Sequence, residues 1–504
     1  MLRSRVTHVG VARSMTRPSL QGQAQRLYTA NNSSSATKAK STAKFALAAG
    51  VIGTQIYWWM SPTPDRDNEV PRLEGTPTDE LVFDKGPSKE EVSRILNEHA
   101  YSYTVKNVGN VDRYDGAQLA SSDPCEDRFL HGQFPAPWGG RRPWMAWGIF
   151  DGQLSWETAD LLEKQLLPIV RQNLRKVEWE AKKEKKGLAV HVALIEAFRS
   201  FDASLMQAIK GVCESKEPLQ DKLKKVIPAY TGSCALLSLY DPLTHLLHVS
   251  HTGTSRAVFA EQQQAGNWTS MDLSADHNVL NPKEIERITE SHPGEEDVIK
   301  DHTLMGLITT RAFGLAQWKL PAAVRDDLEE KLLAPIYSPG RDGKKPPCII
   351  AVPDSISVEI KSNIPSFMIM ASPGLWQFLT SQQAVDLVVK WMESQEDKQE
   401  STPEPMYEPF HFDQFVKGEV SWPYTEERLT VQDDNAAVHL VRNALGGNHH
   451  ELVAGRLGHM APVNQFIRED ITVQVVFFNK DKQEPDDSVS KELMRHLWSI
   501  LCSG

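Results

Sequence analysis

Between residues 145 and 478 the chain alternates short apolar runs with longer stretches in which apolar residues recur every three or four positions. Runs rich in β-branched and aromatic residues, each close to a turn, predict strands over Met145–Phe150, Ser233–Tyr240, Leu246–Ser250, Arg256–Ala260, Ser366–Ala371 and Thr472–Phe478. The helical period predicts helices over Trp156–Leu174, Ala189–Cys213, Pro282–Ser291, Ser381–Met392, Asn435–Leu445 and Ser488–Leu501. Two stretches break this order. Pro321–Pro347 is charged and carries Pro and Gly, and Ser394–Arg428 is acidic and rich in Pro, Tyr and Phe. Both are expected to be surface insertions, where partner contacts often lie.

The first 64 residues follow another pattern. They hold Arg3, Arg5, Arg13, Arg17, Arg26, Lys38, Lys40 and Lys44 and no acid before Asp65. An Arg- and Ser-bearing, acid-free start has the composition of a mitochondrial transit peptide, expected over residues 1–44. Phe45–Met60 then runs sixteen residues without a charge and ends in Tyr57, Trp58 and Trp59. That is short for the ~20 residues of a bilayer span, yet Lys44 can snorkel and the aromatics suit an interface, so a membrane anchor over 45–60 is expected. A Pro- and Thr-bearing linker follows at Ser61–Asp84, and the body is expected over 85–504.

With 504 residues and 40% apolar composition the chain can bury a large core, as one α/β sandwich or as two or three domains. Removing the eight N-terminal bases from the chain's 55 leaves 47 against 66 acids, a balance of −19. So acidic a body argues against nucleic-acid binding, which depends on phosphate neutralisation. Five scattered cysteines, Cys125, Cys213, Cys234, Cys348 and Cys502, form no C-x-x-C pair and suggest neither a disulfide scaffold nor a zinc site. His449 and His450, in a Gly-Asn context, are expected in a solvated loop, and Lys182–Lys186 on a solvated face or loop. There is no P-loop, G-x-S-x-G elbow or dinucleotide fingerprint.

Six further stretches have a consistent order: DPCEDR (Asp123–Arg128), WGIFDGQLSW (Trp147–Trp156), TGSCALLSLYD (Thr231–Asp241), HTGTSRAVFA (His251–Ala260), TTRAFGLAQWK within Met305–Lys319, and REDITVQVVFF (Arg468–Phe478). With FMIMASPGLWQ (Phe367–Gln377), they resemble the signature blocks of the metal-dependent, 2C-type Ser/Thr protein phosphatases. HPGEED (His292–Asp297) and DDNAAVHLVRNALGG (Asp433–Gly447) are similar to the pyruvate dehydrogenase phosphatase branch, fungal mitochondrial relatives included. The resemblance implies an α+β fold, an α-β-β-α sandwich of two mostly antiparallel sheets flanked by helices.

It also implies a chemistry: carboxylates hold two divalent ions that activate a bridging water against phosphorus. Glu126, Asp127, Asp151, the Gly152 carbonyl and Glu469 stand at metal positions. Others have changed. Pro373 stands where the family has a metal-ligand Asp, Gln377 where it has an acid, Thr254 and Leu315 where it has Asp, and Gln153 where a His assists proton transfer. Mg²⁺ or Mn²⁺ at one site is therefore expected, and a two-metal centre is not. Arg256 and Arg311 are the nearby candidates for gripping phosphate; Ser122 lies near the place of the family's usual Arg. The expected protein is a pseudophosphatase that docks phosphoproteins or a kinase/phosphatase complex, with the pyruvate dehydrogenase complex as the candidate. The alternative is an active phosphatase in which Gln377, Asp470 or an insertion residue supplies the missing oxygen.

Overall fold

A computed structural model describes residues 86–139, 142–177, 183–264, 266–295, 298–332, 347–396, 423–458 and 468–479. The expected transit peptide, anchor and linker, and the helix expected at Ser488–Leu501, lie outside the described residues. Among those residues no helix is long and apolar enough to cross a membrane.

Two antiparallel sheets face each other. The strands are β1 (Tyr101–Thr104), β2 (Val111–Leu119), β3 (Arg128–Phe134), β4 (Trp144–Phe150), β5 (Ala235–Asp241), β6 (Leu246–Thr252), β7 (Arg256–Gln262), β8 (Trp268–Asp272), β9 (Ile299–Lys300), β10 (Thr303–Leu304), β11 (Asp354–Glu359), β12 (Ser366–Ala371) and β13 (Ile471–Phe478). One sheet runs β1-β2-β13-β12-β7-β8 and the other β11-β6-β5-β4-β3, while β9 and β10 form a small ribbon.

Alternation along β12 shows why the layers form. Phe367, Ile369 and Ala371 point to a cluster shared with the helices Ser381–Glu396 and Ala436–Leu445. Met368 and Met370 point the other way, into the space between the sheets, where they join Trp147, Tyr240, Phe259 and Phe478. Being apolar on both faces, such a strand is buried on both. The second sheet is covered by the helices Glu157–Lys176, Lys183–Glu214 and Leu219–Thr231, whose Leu162, Leu166, Phe198 and Val226 pack with Trp144, Phe150 and Leu237. Helix, sheet, sheet, helix is the layered α+β sandwich that the resemblance implied.

Two expectations need correcting. His449 is buried rather than solvated: its Nδ1 accepts the Leu452 N–H, and His450 opens the helix His450–Gly458. The stretch from Pro321 is not insertion throughout, because the helix Ala322–Leu332 puts Leu328 and Leu332 into the core beside the second sheet. The rest of that stretch, residues 333–346, lies outside the described residues, as do residues 397–422 of the other expected insertion.

Candidate metal centre

The acids converge because strand ends do. Arg128 pairs with Phe150, so Asp127 just before β3 and Asp151 just after β4 emerge side by side at one end of a sheet. In the facing sheet Leu119 pairs with Ile471 and Ala371 with Val473, which brings Glu469 and Asp470 to the same end as Ser372 and Pro373. Thr472 joins the two sheets: its hydroxyl donates to Asp127 Oδ2 at 2.7 Å and its N–H to the Ser372 hydroxyl at 2.8 Å. Glycine is required at two of these turns. A Cβ on Gly152 would lie 2.8 Å from the Glu126 carbonyl oxygen, and one on Gly374 would lie 2.2 Å from that of Asp470.

Asp470 organises this end of the molecule rather than facing an ion. Its carboxylate accepts the N–H groups of Ser121, Ser122 (3.2 Å), Glu126 (2.6 Å) and Asp127 (3.4 Å), and the Ser121 hydroxyl at 2.7 Å. With both oxygens held by the 121–127 loop, it is not free to replace a missing ligand. Ser122 is thereby a loop anchor.

The remaining acids repel one another. Burial first, then the charges of Asp470, Glu157 and Glu469, pushes Glu126 up to about 7. Asp127 is raised by burial and by Asp470, and Asp151 by burial and by Asp127, Glu469 and Glu126. Glu469 keeps solvent contact yet is crowded by protein, which raises it, with Asp470 adding to the rise and a hydrogen bond from Gln377 opposing it. Asp127 Oδ1 is buried with no hydrogen-bond partner. An orphaned, buried carboxylate oxygen among mutually destabilised acids is an arrangement that a divalent cation would relieve. Glu126, Asp127, Asp151, the Gly152 carbonyl and Glu469 are the residues that would hold it.

Of the positions at which the family resemblance implies other residues, Gln153 and Gln377 lie against the acids. Gln153 Nε2 donates to Asp151 Oδ2 at 2.9 Å and reaches Cys234 Sγ at 3.3 Å. Gln377 hydrogen-bonds Glu469. Pro373 is the first residue of the short helix Pro373–Trp376 and brings no side-chain donor atom. Thr254 turns its amide and hydroxyl to the Cys234 sulfur. Leu315 is fully buried in an apolar cluster with Val279, Trp318 and Ile349, at a left-handed φ of 52° and ψ of 47°. Its turn is clamped by Asp202, which accepts the Gly314 N–H at 2.9 Å and pairs with Lys319 at 2.7 Å.

Both arginines are committed to carboxylates. Arg256 forks onto Asp276 with two 2.6 Å bonds and lies over Trp376. Arg311 bonds Glu284, Asp354 Oδ1 at 2.9 Å and the Val352 carbonyl at 2.9 Å. Beside Arg311 stands a cluster the sequence reasoning missed: His251, His277 and Asp354 bring potential metal-donor atoms within 4.8 Å of one another. Their contacts use those atoms already. His277 Nδ1 accepts the Gly253 N–H, so its proton sits on Nε2 and faces Asp354 Oδ2 at 3.2 Å. The two rings stack at 4.3 Å and 5°, which sets their in-plane lone pairs parallel instead of convergent. His251 lies in β6, His277 in the loop after β8 and Asp354 at the start of β11, and no local spacing announces them.

With acids at the open strand ends of a two-sheet sandwich, the decisive comparison is with known families. A family profile described as Protein phosphatase 2C matches residues 115–406. The chain belongs to the protein phosphatase 2C family. It is 34% identical over 406 residues to a protein phosphatase 2C homolog of Schizosaccharomyces pombe, covering 77% of this chain and 85% of that one. It is 30% identical over 446 residues to the mitochondrial [pyruvate dehydrogenase [acetyl-transferring]]-phosphatase 1 of Saccharomyces cerevisiae, covering 83% and 77%. The human protein of that name is 26% identical over 468 residues, covering 77% and 82%. Within the 2C family the chain thus resembles the pyruvate dehydrogenase phosphatases. The matched span holds every substituted position, while Glu469 lies beyond it.

Proposed function

We propose that this chain is a mitochondrial pyruvate dehydrogenase phosphatase-like protein that works as a binding or regulatory module, a pseudophosphatase with a one-ion centre. The observation that carries this reading is the pair of amides. Gln153 donates to Asp151 and Gln377 bonds Glu469, so neutral N–H donors already engage two of the carboxylates that a second ion would need. Pro373 offers nothing in compensation and Asp470 is bound to backbone amides. One divalent ion, of the family's Mg²⁺ or Mn²⁺, remains supported by Glu126, Asp127, Asp151, the Gly152 carbonyl and Glu469. Such a site can grip a phosphoryl oxygen, but it lacks the bridged pair of ions that activates water.

The partners that suit this reading are phosphoproteins or a kinase/phosphatase complex, with the pyruvate dehydrogenase complex as the candidate suggested by the relatives' names. The acid-free N-terminus and the word mitochondrial in those names support the location, and Phe45–Met60 supports inner-membrane association. A second reading, an active Ser/Thr phosphatase with an unusual ligand set, is favoured by one observation: the surviving acids still crowd strongly enough to call for positive charge.

Calorimetric titration with Mn²⁺ and Mg²⁺, with phosphopeptide hydrolysis followed in the same samples, separates the two. One site without turnover is expected. Two sites with turnover that disappears on Asp151→Asn would make the chain an active phosphatase.

A further inference from the structure

We propose that the outer edge of β11 is a docking site for a partner protein, which adds an extended, basic-flanked segment to the second sheet as a further strand. The inference goes beyond the reading above and holds whether the metal centre keeps one ion or two. β11 (Asp354–Glu359) pairs with β6 without a bulge, and among the described residues it ends its sheet. Edge strands usually carry a Lys, a Pro or a bulge that discourages pairing with another chain. Residues 355–358 of β11, SISV, carry none of these.

Exposed apolar residues stand on both sides of that edge. On the face between the sheets, Ile356 lies opposite Val249 of the inter-sheet cluster and is 36% exposed. Across the mouth of the sandwich, Met271 of β8 lies opposite Phe259 and is 43% exposed. The loop after β8 meets β11 where His277 approaches Asp354 at 3.2 Å, and Lys361 ties the far end to Glu261 at 2.8 Å, so β8 and β11 border one opening. On the other face, the helix Lys183–Glu214 sets His191 on the Ser357 hydroxyl at 2.7 Å, and a Cβ on Gly187 would lie 3.8 Å from the same oxygen. At 3.6 residues per turn, Leu188 and Val192 come next round that helix, on the side away from buried Val190 and Leu194, and are 66% and 55% exposed. A strand laid along β11 would take main-chain hydrogen bonds from the edge. Its alternate side chains would meet Ile356 and Met271 on one face and Leu188 and Val192 on the other.

Charge selects the occupant. Exposed Asp272 ends β8 at one end of the opening and exposed Glu359 ends β11 at the other, while Lys361 is engaged by Glu261. A second copy of this chain, pairing β11 with itself in antiparallel fashion about the strand's centre, would set Asp354 against Glu359, like charges directly opposite. A partner segment with apolar residues between two bases is the complement.

The test uses the full chain and a fluorescein-labelled peptide, KVTVTVK, read by fluorescence polarisation. Saturable binding is expected, weakened about tenfold or more by Ile356→Lys, by Val192→Asp and by exchange of the peptide's lysines for glutamates. Methylation of alternate peptide amides, which removes the main-chain donors, should abolish it. Leu280→Asp, at an exposed apolar residue elsewhere, should change nothing. Equal near-ultraviolet circular dichroism shows that the variants keep their fold. No saturable binding, binding indifferent to both Ile356→Lys and Val192→Asp, or equal binding of the methylated peptide would overturn the proposal. So would sedimentation of the free chain as a dimer that Ile356→Lys dissociates, which would give the edge to a second copy. None of these outcomes bears on the number of ions bound, so this proposal and the one-ion reading fail separately.

Discussion

Glu284 and Asp354 lie among arginines, whereas Glu126, Asp127, Asp151 and Glu469 lie chiefly among one another. At the first place burial alone would raise Glu284, but Arg311, Arg287 and the Thr310 hydroxyl bring it down to about 2. Asp354 is held well below the ordinary carboxylate range by its bond from His277 and by the Arg311 charge, against the effect of burial. At the second place burial and mutual charge are only partly offset, by hydrogen bonds such as those from Thr472 to Asp127 and from Gln377 to Glu469, and every one of the four acids is raised. The first group carries its counter-charge in the sequence and is framework. The second leaves its counter-charge to be supplied from outside, which is what marks a site.

The strongest way to sharpen this contrast is to return donors to the second group. Pro373→Asp combined with Gln377→Asp and Gln153→His should raise the bound divalent ions from one to two, with the added site gaining well over the ~10–100-fold that outer contacts govern, as read by calorimetry. Next in size, Arg311→Ala removes one of the two guanidinium partners of Glu284, leaving Arg287 and the Thr310 hydroxyl, and should cost about 1–3 kcal/mol in denaturant unfolding. Asp151→Asn in the other group should leave metal-free stability unchanged or improved, because it removes repulsion. Gly374→Ala should cost about 1–3 kcal/mol by forcing a methyl against the Asp470 carbonyl.

The smallest effect is on acid stability. Because Glu284 is lowered on folding, its stabilisation is present above the ordinary glutamate value of 4.5 and is lost as pH falls toward about 2. Glu284→Gln should flatten the acid limb of a pH-dependent melting series over that range.

The sequence made the sheet centres legible and the sheet edges opaque. Strands β4, β5, β12 and β13 are buried along their whole length and read as apolar runs. The edge strand β1 is exposed at three of its four positions, and β2 beside it, though inside the sheet, carries Asp115, buried yet paired with Arg113 and the Ala436 N–H, so neither shows a clean period. The helix Leu219–Thr231 is masked by its internal Pro228. In the site, the acids were visible through family blocks. The bonds of Gln153 to Asp151 and of Asp470 to Ser121 were not, since they depend on how turns meet in space. The reach of Arg311 to Glu284 and Asp354 is likewise a tertiary fact.

Leu315 stands where the family resemblance implies an Asp, and the backbone there is already shaped for one. A branched apolar side chain is an unusual tenant of left-handed backbone, a conformation that costs it roughly 1–2 kcal/mol and that Asp or Asn accepts more readily. Asp202 and Lys319 still hold the turn in that shape. An Asp there would ask for a new side chain and no new main chain, so at this position the fold is open to an acidic turn.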